Sequence, residues 1–525
     1  MSELLQELAL RAATTHGDRP ALVDGKRTLD YAALAQALDQ FRNGLIAGGL
    51  AHGERVAINL PKTLEAVIGM FGTAHAGGVF VPVNALLKPA QVQHILADSG
   101  ARVLVTSAGR LEALAPLLPS LEQLHTVVVV DTPPTIDSGA VKVIAFDPFC
   151  IAEDAPGHRR IDADIVSIFY TSGSTGRPKG VILSHANMVA GAHSVASYLD
   201  NVPQDRLLAV LPFSFDYGFS QLSTAFSVGA CVVLLEYLLP RDVLRKLSSE
   251  RITGLAGVPP LWGQLAALDW PKGCAGSLRY FTNSGGAMPK ATLRILRDKA
   301  PDAAPFLMYG LTEAFRSTYL PPGEVDRRPE SMGKAIPNAE VLVLDADGRQ
   351  CAPGEVGELV HRGALVSLGY WNNPEKTAER FKTLPLEDGR VVPELAVFSG
   401  DSVRMDDEGF LYFVGRRDEM IKTSGYRVSP NEIEEVIYDA GIAEEVVAMG
   451  VPHPDLGQAI VVVAAKPLAQ GDAHQALLDA CRGALANFMQ PRKVVWLDAL
   501  PRNPNGKIDR KSLSDQHRDL FRQEN

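Results

Sequence analysis

The segment Tyr170-Thr-Ser-Gly-Ser-Thr-Gly-Arg-Pro-Lys-Gly180 carries three Gly and four Ser or Thr in eleven positions. That composition suits a loop wrapped around an anion: glycines let backbone N–H groups turn inward, hydroxyls donate, and a lysine adds charge. Thr171, Ser172, Gly173, Ser174, Thr175, Gly176 and Lys179 are therefore the candidate phosphate contacts. The spacing is not that of a Walker A loop, because Gly173 is not followed by four residues and Gly-Lys-Ser/Thr. A Ser/Thr/Gly run is often only a flexible linker. Here the Pro178-Lys179-Gly180 ending, after the apolar run Ile165–Phe169, favours the anion loop. Asp216 is set in Pro212-Phe-Ser-Phe-Asp-Tyr-Gly-Phe219, where a carboxylate among apolar side chains is costly unless a cation pairs with it.

These residues need a scaffold, and the hydrophobic pattern supplies one. Short apolar runs (Val56–Leu60, Val103–Val105, Val127–Val130, Leu208–Leu211, Val232–Leu235) alternate with amphipathic segments such as Leu64–Ala76 and Asp242–Glu250. Val- and Leu-rich runs of that length suit parallel strands buried on both faces between helices. The expected class is α/β: a large N-terminal domain of parallel-rich sheets flanked by helices. Beyond Glu340 the runs become short and polar-bounded (Val341–Asp345, Gly357–His361, Phe410–Val414), which predicts a small, more antiparallel β region. The charged stretch Gly415–Glu419 lacks apolar anchors and marks a boundary, giving a large domain over 1–417 and a small α+β domain over 418–525. That small domain should contain a helix over Asn431–Ala440, strands at Val446–Met449 and Ile460–Ala465, and a helix near His474–Leu485.

Composition narrows the function. The chain has 525 residues, 46% hydrophobic and 21% charged, with 51 Lys+Arg against 61 Asp+Glu and a net charge of -10. Length calls for more than one packed unit, and an acidic balance disfavours sequence-independent nucleic-acid binding. Five scattered Cys with no CxxC spacing indicate neither a disulfide framework nor a zinc site. Met1–Arg11 lacks a signal-peptide profile. The most apolar stretch, Met70–Leu87, is broken by His75, Gly77, Gly78, Pro82 and Asn84, so no membrane span is expected. A cytoplasmic protein is the expectation.

With its motifs read in order, the sequence resembles the adenylate-forming (AMP-binding) superfamily of acyl-CoA synthetases, peptide-synthetase adenylation domains and luciferases. The Tyr170–Gly180 loop is followed by Asn283-Ser-Gly-Gly-Ala287, Tyr309-Gly-Leu-Thr-Glu313, Gly357-Glu-Leu359, Gly369-Tyr-Trp371, Ser399-Gly-Asp401, Gly415-Arg-Arg-Asp418, Ser424-Gly-Tyr-Arg427 and Asn503–Asp509. The wording of Tyr309–Pro321 and Val414–Pro430 is similar to freestanding AMP-forming acyl-CoA ligases associated with exosortase-type exopolysaccharide gene sets, which implies a bacterial enzyme. The resemblance implies an ATP- and Mg²⁺-dependent acid–thiol ligase that makes an acyl-AMP, releases pyrophosphate, and transfers the acyl group to CoA. It implies that Thr312 and Glu313 serve the phosphates and the metal. Tyr309, Gly285, Gly286 and Ala287 would form the adenine slot, and Asp401 and Arg416 would hold the ribose. Lys507 would be the catalytic lysine, brought in by a small, mobile lid domain. Asp418 would be the hinge, Gly425 and Arg427 would border the pantetheine arm, and Lys422 would serve the second half-reaction. Ser399 stands where the family usually has Thr.

The acid is less determined. Many acyl-CoA synthetases carry a His after the strand at Leu207–Leu211, whereas Ser214-Phe215-Asp216 looks like the adenylation-domain pattern in which the Asp pairs with a substrate amine. Phe215, Asp216, Ser284, Gly310 and Arg316 are the expected pocket residues. Asp216 and Arg316 either pair with each other or jointly read a polar or zwitterionic acid, or Asp216 is only a turn residue before Gly218. The alternative to CoA is a carrier protein's phosphopantetheine, loaded in trans by a stand-alone aminoacyl ligase.

Overall fold

A computed structural model describes residues 3–521 apart from 152, 156, 172–177, 385–391, 417–419, 424–425, 454–455, 469–471, 486 and 505. Two sheets with parallel cores make up the first part of the chain. One runs in the order Lys142–Ala145, Thr126–Val129, Ala101–Thr106, Arg55–Asn59, Val79–Pro82 and Ile165–Thr171, all parallel, and ends on antiparallel Lys179–Ser184. The other has a parallel centre of Pro20–Asp24, Cys231–Leu234, Arg206–Ala209, Gly254–Gly257, Tyr280–Asn283 and Ala304–Tyr309. The α/β expectation holds.

The main core lies between the sheets. Val56, Ile58, Phe80 and Phe169 from one sheet and Leu22, Leu208 and Val233 from the other belong to a single buried cluster. Helix Leu64–Ala76 is part of it, with every residue except Glu65 buried. Thr63 caps its start by accepting from the Ala66 N–H, and Gly77 ends it at φ 82°. A helix packed on all sides is apolar all round, which explains the membrane-like look of this stretch. Phe219 stacks on Phe71 and Phe80 at centroid distances of 5.7 and 5.3 Å, tying the neighbouring helix Asp216–Val228 to the same core.

Antiparallel strands extend the second sheet through Thr318–Leu320, Ser331–Ala335, Leu411–Arg416, Leu395–Met405, Val356–Gly363 and Ala339–Leu344. This is the expected small β region, with each strand longer or shifted by a residue or two. Sheet membership then changes. Leu411–Arg416 pairs in the large sheet, whereas Ile421–Thr423 pairs with Tyr426–Val428 and reaches Gly457 in a separate five-stranded sheet. That sheet is built on the antiparallel pair Ala443–His453 and Gly457–Pro467, with Lys493–Leu497 parallel to the latter. Alternation sends Val446 and Ala448 toward helices Pro430–Asp439 and Ala473–Ala484, and Val447 and Met449 toward Leu500 and Leu513. Among the described residues, no helix is long and apolar enough to cross a membrane.

Candidate active site

Parallel strands present their carboxyl ends to ligands because the loops there are free of the sheet ladder. Strand Tyr280–Asn283 delivers Ser284–Ala287, and strand Ala304–Tyr309 delivers Gly310–Arg316. Asn283 Nδ2 donates to the Gly286 carbonyl at 2.9 Å and fixes the first loop. Gly285 there has φ +80°, a conformation that favours glycine, and a Cβ on it would stand 2.7 Å from Lys507 Cε and 3.2 Å from Nζ. Lys507 thus reaches into the large domain from its own turn, which Asn503 closes by accepting from the Lys507 N–H at 3.0 Å. The Asn84 amide also donates to the Pro504 carbonyl of that turn at 2.8 Å. Lys507 Nζ lies 4.7 Å from the centre of the Phe215 ring. Burial holds its pKa below the ordinary 10.5, against the pull of Asp216.

Glu313 and Lys179 meet at 3.2 Å, half-buried. Tyr370 completes the pair: its hydroxyl donates to Glu313 Oε1 at 2.6 Å and accepts from Lys179 Nζ at 2.7 Å, with the ammonium 4.0 Å from the ring centre. Burial works to raise the Glu313 pKa, but the Lys179 charge and the Tyr370 hydrogen bond more than offset it, so the carboxyl sits below its ordinary value. The sequence reading missed Tyr370, although its Gly369-Tyr-Trp motif was in view.

A second cluster forms where strand register places Asp401 opposite Arg416. Arg416 Nε donates to Asp401 Oδ1 at 3.1 Å and Tyr309 OH donates to Oδ2 at 2.5 Å. Burial raises the Asp401 pKa and outweighs Arg416. Arg416 lies within electrostatic range of Lys179, Tyr370 and Lys507, so the two clusters and the lysine share one site.

Asp216 opens helix Asp216–Val228 and is not a turn residue. Gly218 permits that start, since a Cβ there would fall 2.1 Å from the Pro212 carbonyl oxygen. Asp216 Oδ2 accepts from Arg316 Nη1 at 3.1 Å, with both side chains under 5% exposed. Thr312 Oγ1 donates to Oδ1 at 3.3 Å. Of the two arrangements left open, Asp216 and Arg316 pair with each other. Ser284 is buried beside the Gly285 turn, Ala287 is exposed beyond it, and Gly310 lies against the Arg316 backbone.

Thr171 ends its strand with a buried hydroxyl that has no partner among the described residues. Ser172, Gly173, Ser174, Thr175 and Gly176 lie outside the described residues, as do Asp418 and Gly425. Lys422 and Arg427 are described by backbone only and face each other in register across the hairpin Ile421–Val428.

A carboxylate–lysine–tyrosine cluster, a carboxylate–arginine–tyrosine cluster and a lysine from a C-terminal turn, set around the loops that follow strands Tyr280–Asn283 and Ala304–Tyr309, fit an adenylate-forming type of enzyme. Matches to known proteins agree. The family model for AMP-binding enzyme covers residues 9–371, and that for the AMP-binding enzyme C-terminal domain covers 432–507. The long-chain-fatty-acid–CoA ligase of Salmonella typhimurium is 30% identical over 98% of this chain and 94% of its own. Feruloyl-CoA synthase of an Amycolatopsis species is 32% identical over 95% and 96%. The crystal structure of ATP-bound MatB from Rhodopseudomonas palustris superposes with a TM-score of 0.85 at 28% identity, covering 99% of this chain and 100% of that one. The chain belongs to the AMP-binding enzyme family. It is a ligase of the AMP-forming acyl-CoA synthetase type.

Proposed function

We propose that the residues described above divide the work of an ATP-dependent acid–CoA ligase. The enzyme activates a carboxylic acid as acyl-AMP and passes the acyl group to CoA. In the first step an acid oxygen attacks the α-phosphorus of ATP, the bond to the β-phosphate oxygen breaks, and pyrophosphate leaves. In the second, the CoA sulfur attacks the acyl carbonyl carbon, the thiol proton goes to solvent, and AMP leaves. The observation that carries this reading is Lys507, held against Gly285 and Phe215.

An anionic acid approaching an anionic phosphate needs a cation fixed where charge builds up, and Lys507 Nζ supplies it. Lys179 and the Tyr170–Gly180 loop hold phosphate oxygens. Tyr309 and Gly285–Ala287 flank the base, while Asp401 and Arg416 hold the ribose. Glu313 would hold Mg²⁺. Among the described residues its two side-chain hydrogen bonds both fall on Oε1, and magnesium, which keeps waters and shares substrate phosphates, can be bound through one carboxylate. Bound there, the ion neutralises phosphate charge. The domain division at 417/418, the hinge at Asp418 and the roles of Gly425, Lys422 and Arg427 on the thiol side belong to the same proposal, as do a bacterial, cytoplasmic setting and the exosortase-associated subtype.

The carrier-loading aminoacyl alternative asks for a carboxylate open to a substrate ammonium. Asp216 is already paired with Arg316, which favours CoA ligation of an acid without an α-amino group. The test is pyrophosphate release followed by thioester formation over aliphatic, aryl and amino acids, with CoA or a carrier protein as acceptor. Acid-dependent pyrophosphate release and an acyl-CoA product are expected. No acid-dependent release with any class would overturn the reading.

A further inference from the structure

The turn that carries Lys507 is closed by its own bonds. Asn503 Oδ1 accepts from the Lys507 N–H at 3.0 Å, and the Asn503 and Gly506 N–H groups donate to the Lys507 and Asn503 carbonyls at 2.8 and 2.9 Å. Arg502 Nη1 donates to the Gly506 carbonyl at 3.1 Å and Nη2 to Glu445 at 2.6 Å, which anchors the turn to strand Ala443–His453. These bonds fix the shape of the turn and its place on the five-stranded sheet. They do not fix where it stands over the loops that bind ATP and acid.

A hydrogen bond from the other end of the chain does. Asn84, 8% exposed, follows strand Val79–Pro82 of the seven-stranded sheet. Its Nδ2 donates to the Pro504 carbonyl at 2.8 Å, and its Oδ1 accepts from the Leu86 N–H at 2.8 Å. A carbonyl needs a donor and an N–H needs an acceptor, so the two partners fix which way the amide points. Behind it, Asn59 Nδ2 donates to the Val83 and Asn84 carbonyls at 3.3 Å each, and Thr106 Oγ1 donates to the Asn59 carbonyl at 3.2 Å. Asn59 and Thr106 are fully buried and stand in register at the carboxyl ends of neighbouring parallel strands. A chain of bonds therefore runs from the interior of this sheet to the turn. The Lys507 side chain meanwhile ends against Gly285 and Phe215, in loops that follow strands of the other large sheet. Both sheets thus locate the lysine.

We propose that Asn84 is a positioning residue for adenylate formation, holding the Pro504 carbonyl so that the Lys507 ammonium stands where the acid meets the α-phosphate. The inference rests on the role given to Lys507 above and adds the residue that places it. A lysine ammonium is a point charge on a flexible four-carbon stem, and an electrostatic stabiliser works through being aimed before the reaction. Misplacing a catalytic group by about 1 Å can cost about 10²-fold. Thioester formation from acyl-AMP is not asked of Lys507, so it should not need Asn84.

The test compares wild type, Asn84→Ala and Asn84→Asp in acid-dependent pyrophosphate–ATP exchange and in thioester formation from synthesised acyl-AMP and CoA. Asn84→Asp keeps an acceptor for the Leu86 N–H but sets a carboxylate oxygen against the Pro504 carbonyl, so it breaks the crossing bond and spares the local turn. Both variants should lower kcat for exchange by about tenfold or more, with KM for ATP and the rate of thioester formation within about twofold of wild type. In the Lys507→Ala background, Asn84→Asp should cause less than about a twofold further loss, because residues that act through one another are not additive. Equal losses in both half-reactions with a lower melting temperature would make Asn84 structural and overturn the inference. Full exchange activity in Asn84→Asp, or losses that multiply in the double variant, would also overturn it and leave the ligase reading intact. Absence of exchange in wild type with every acid would overturn the ligase reading itself.

Discussion

Glu313 with Lys179 and Asp216 with Arg316 are two carboxylate–cation pairs of the same chemistry, and Glu313 and Arg316 leave the same strand end three residues apart. Their surroundings differ. The Glu313–Lys179 pair keeps 15% and 24% of its side chains exposed and shares a tyrosine hydroxyl, while the Asp216–Arg316 pair keeps 4% and 3%. A pair with some solvent access can exchange one partner for an incoming phosphate or metal at little cost, because water and Tyr370 cover the change. A sealed pair cannot, since removing either partner strands a charge in a low-dielectric interior. The first pair is suited to serve substrate and the second to close the pocket wall as a neutral unit. Motif identity alone would have made both of them ligand contacts.

The largest effect that separates the two is on stability. Asp216→Ala should cost about 3–5 kcal/mol, the usual penalty for stranding one member of a buried pair, read as a lower denaturation midpoint at constant slope. Adding Arg316→Met should recover most of it. An unchanged midpoint for Asp216→Ala would break the comparison and return Asp216 to a substrate ammonium. A smaller effect is expected at the Glu313–Lys179 pair. Tyr370→Phe removes a hydrogen bond to a charged group, worth about 1.5–3 kcal/mol, and should lower kcat/KM for ATP at least tenfold while lowering the melting temperature less than Asp216→Ala does. The reverse pattern, lost stability with ATP turnover intact, would make Tyr370 part of the scaffold.

Much of the fold was legible because periodicity is local. Helix Leu64–Ala76 has the bounds that its apolar spacing and Thr63/Gly77 caps dictate. The strand expected at Val446–Met449 instead runs from Ala443 to His453. Its extension takes in Glu445, which is accommodated by Arg502 at 2.6 Å, a partner 57 residues away. The site divides in the same way. Short motifs name Glu313, Asp401 and Lys507 directly. The partnership of Tyr370 with Lys179 spans 191 residues and that of Asp216 with Arg316 spans 100, so only the folded chain reveals them.

Separating the half-reactions of Lys507→Ala tests the central claim most directly. Acid-dependent exchange of pyrophosphate into ATP measures adenylate formation, and synthesised acyl-AMP with CoA measures thioester formation alone. Removing one fixed electrostatic stabiliser typically costs about 10²–10³ in rate. The account predicts that loss in exchange, while thioester formation from acyl-AMP stays within a few-fold of wild type. Equal losses in both steps, or exchange at the wild-type rate, would contradict it.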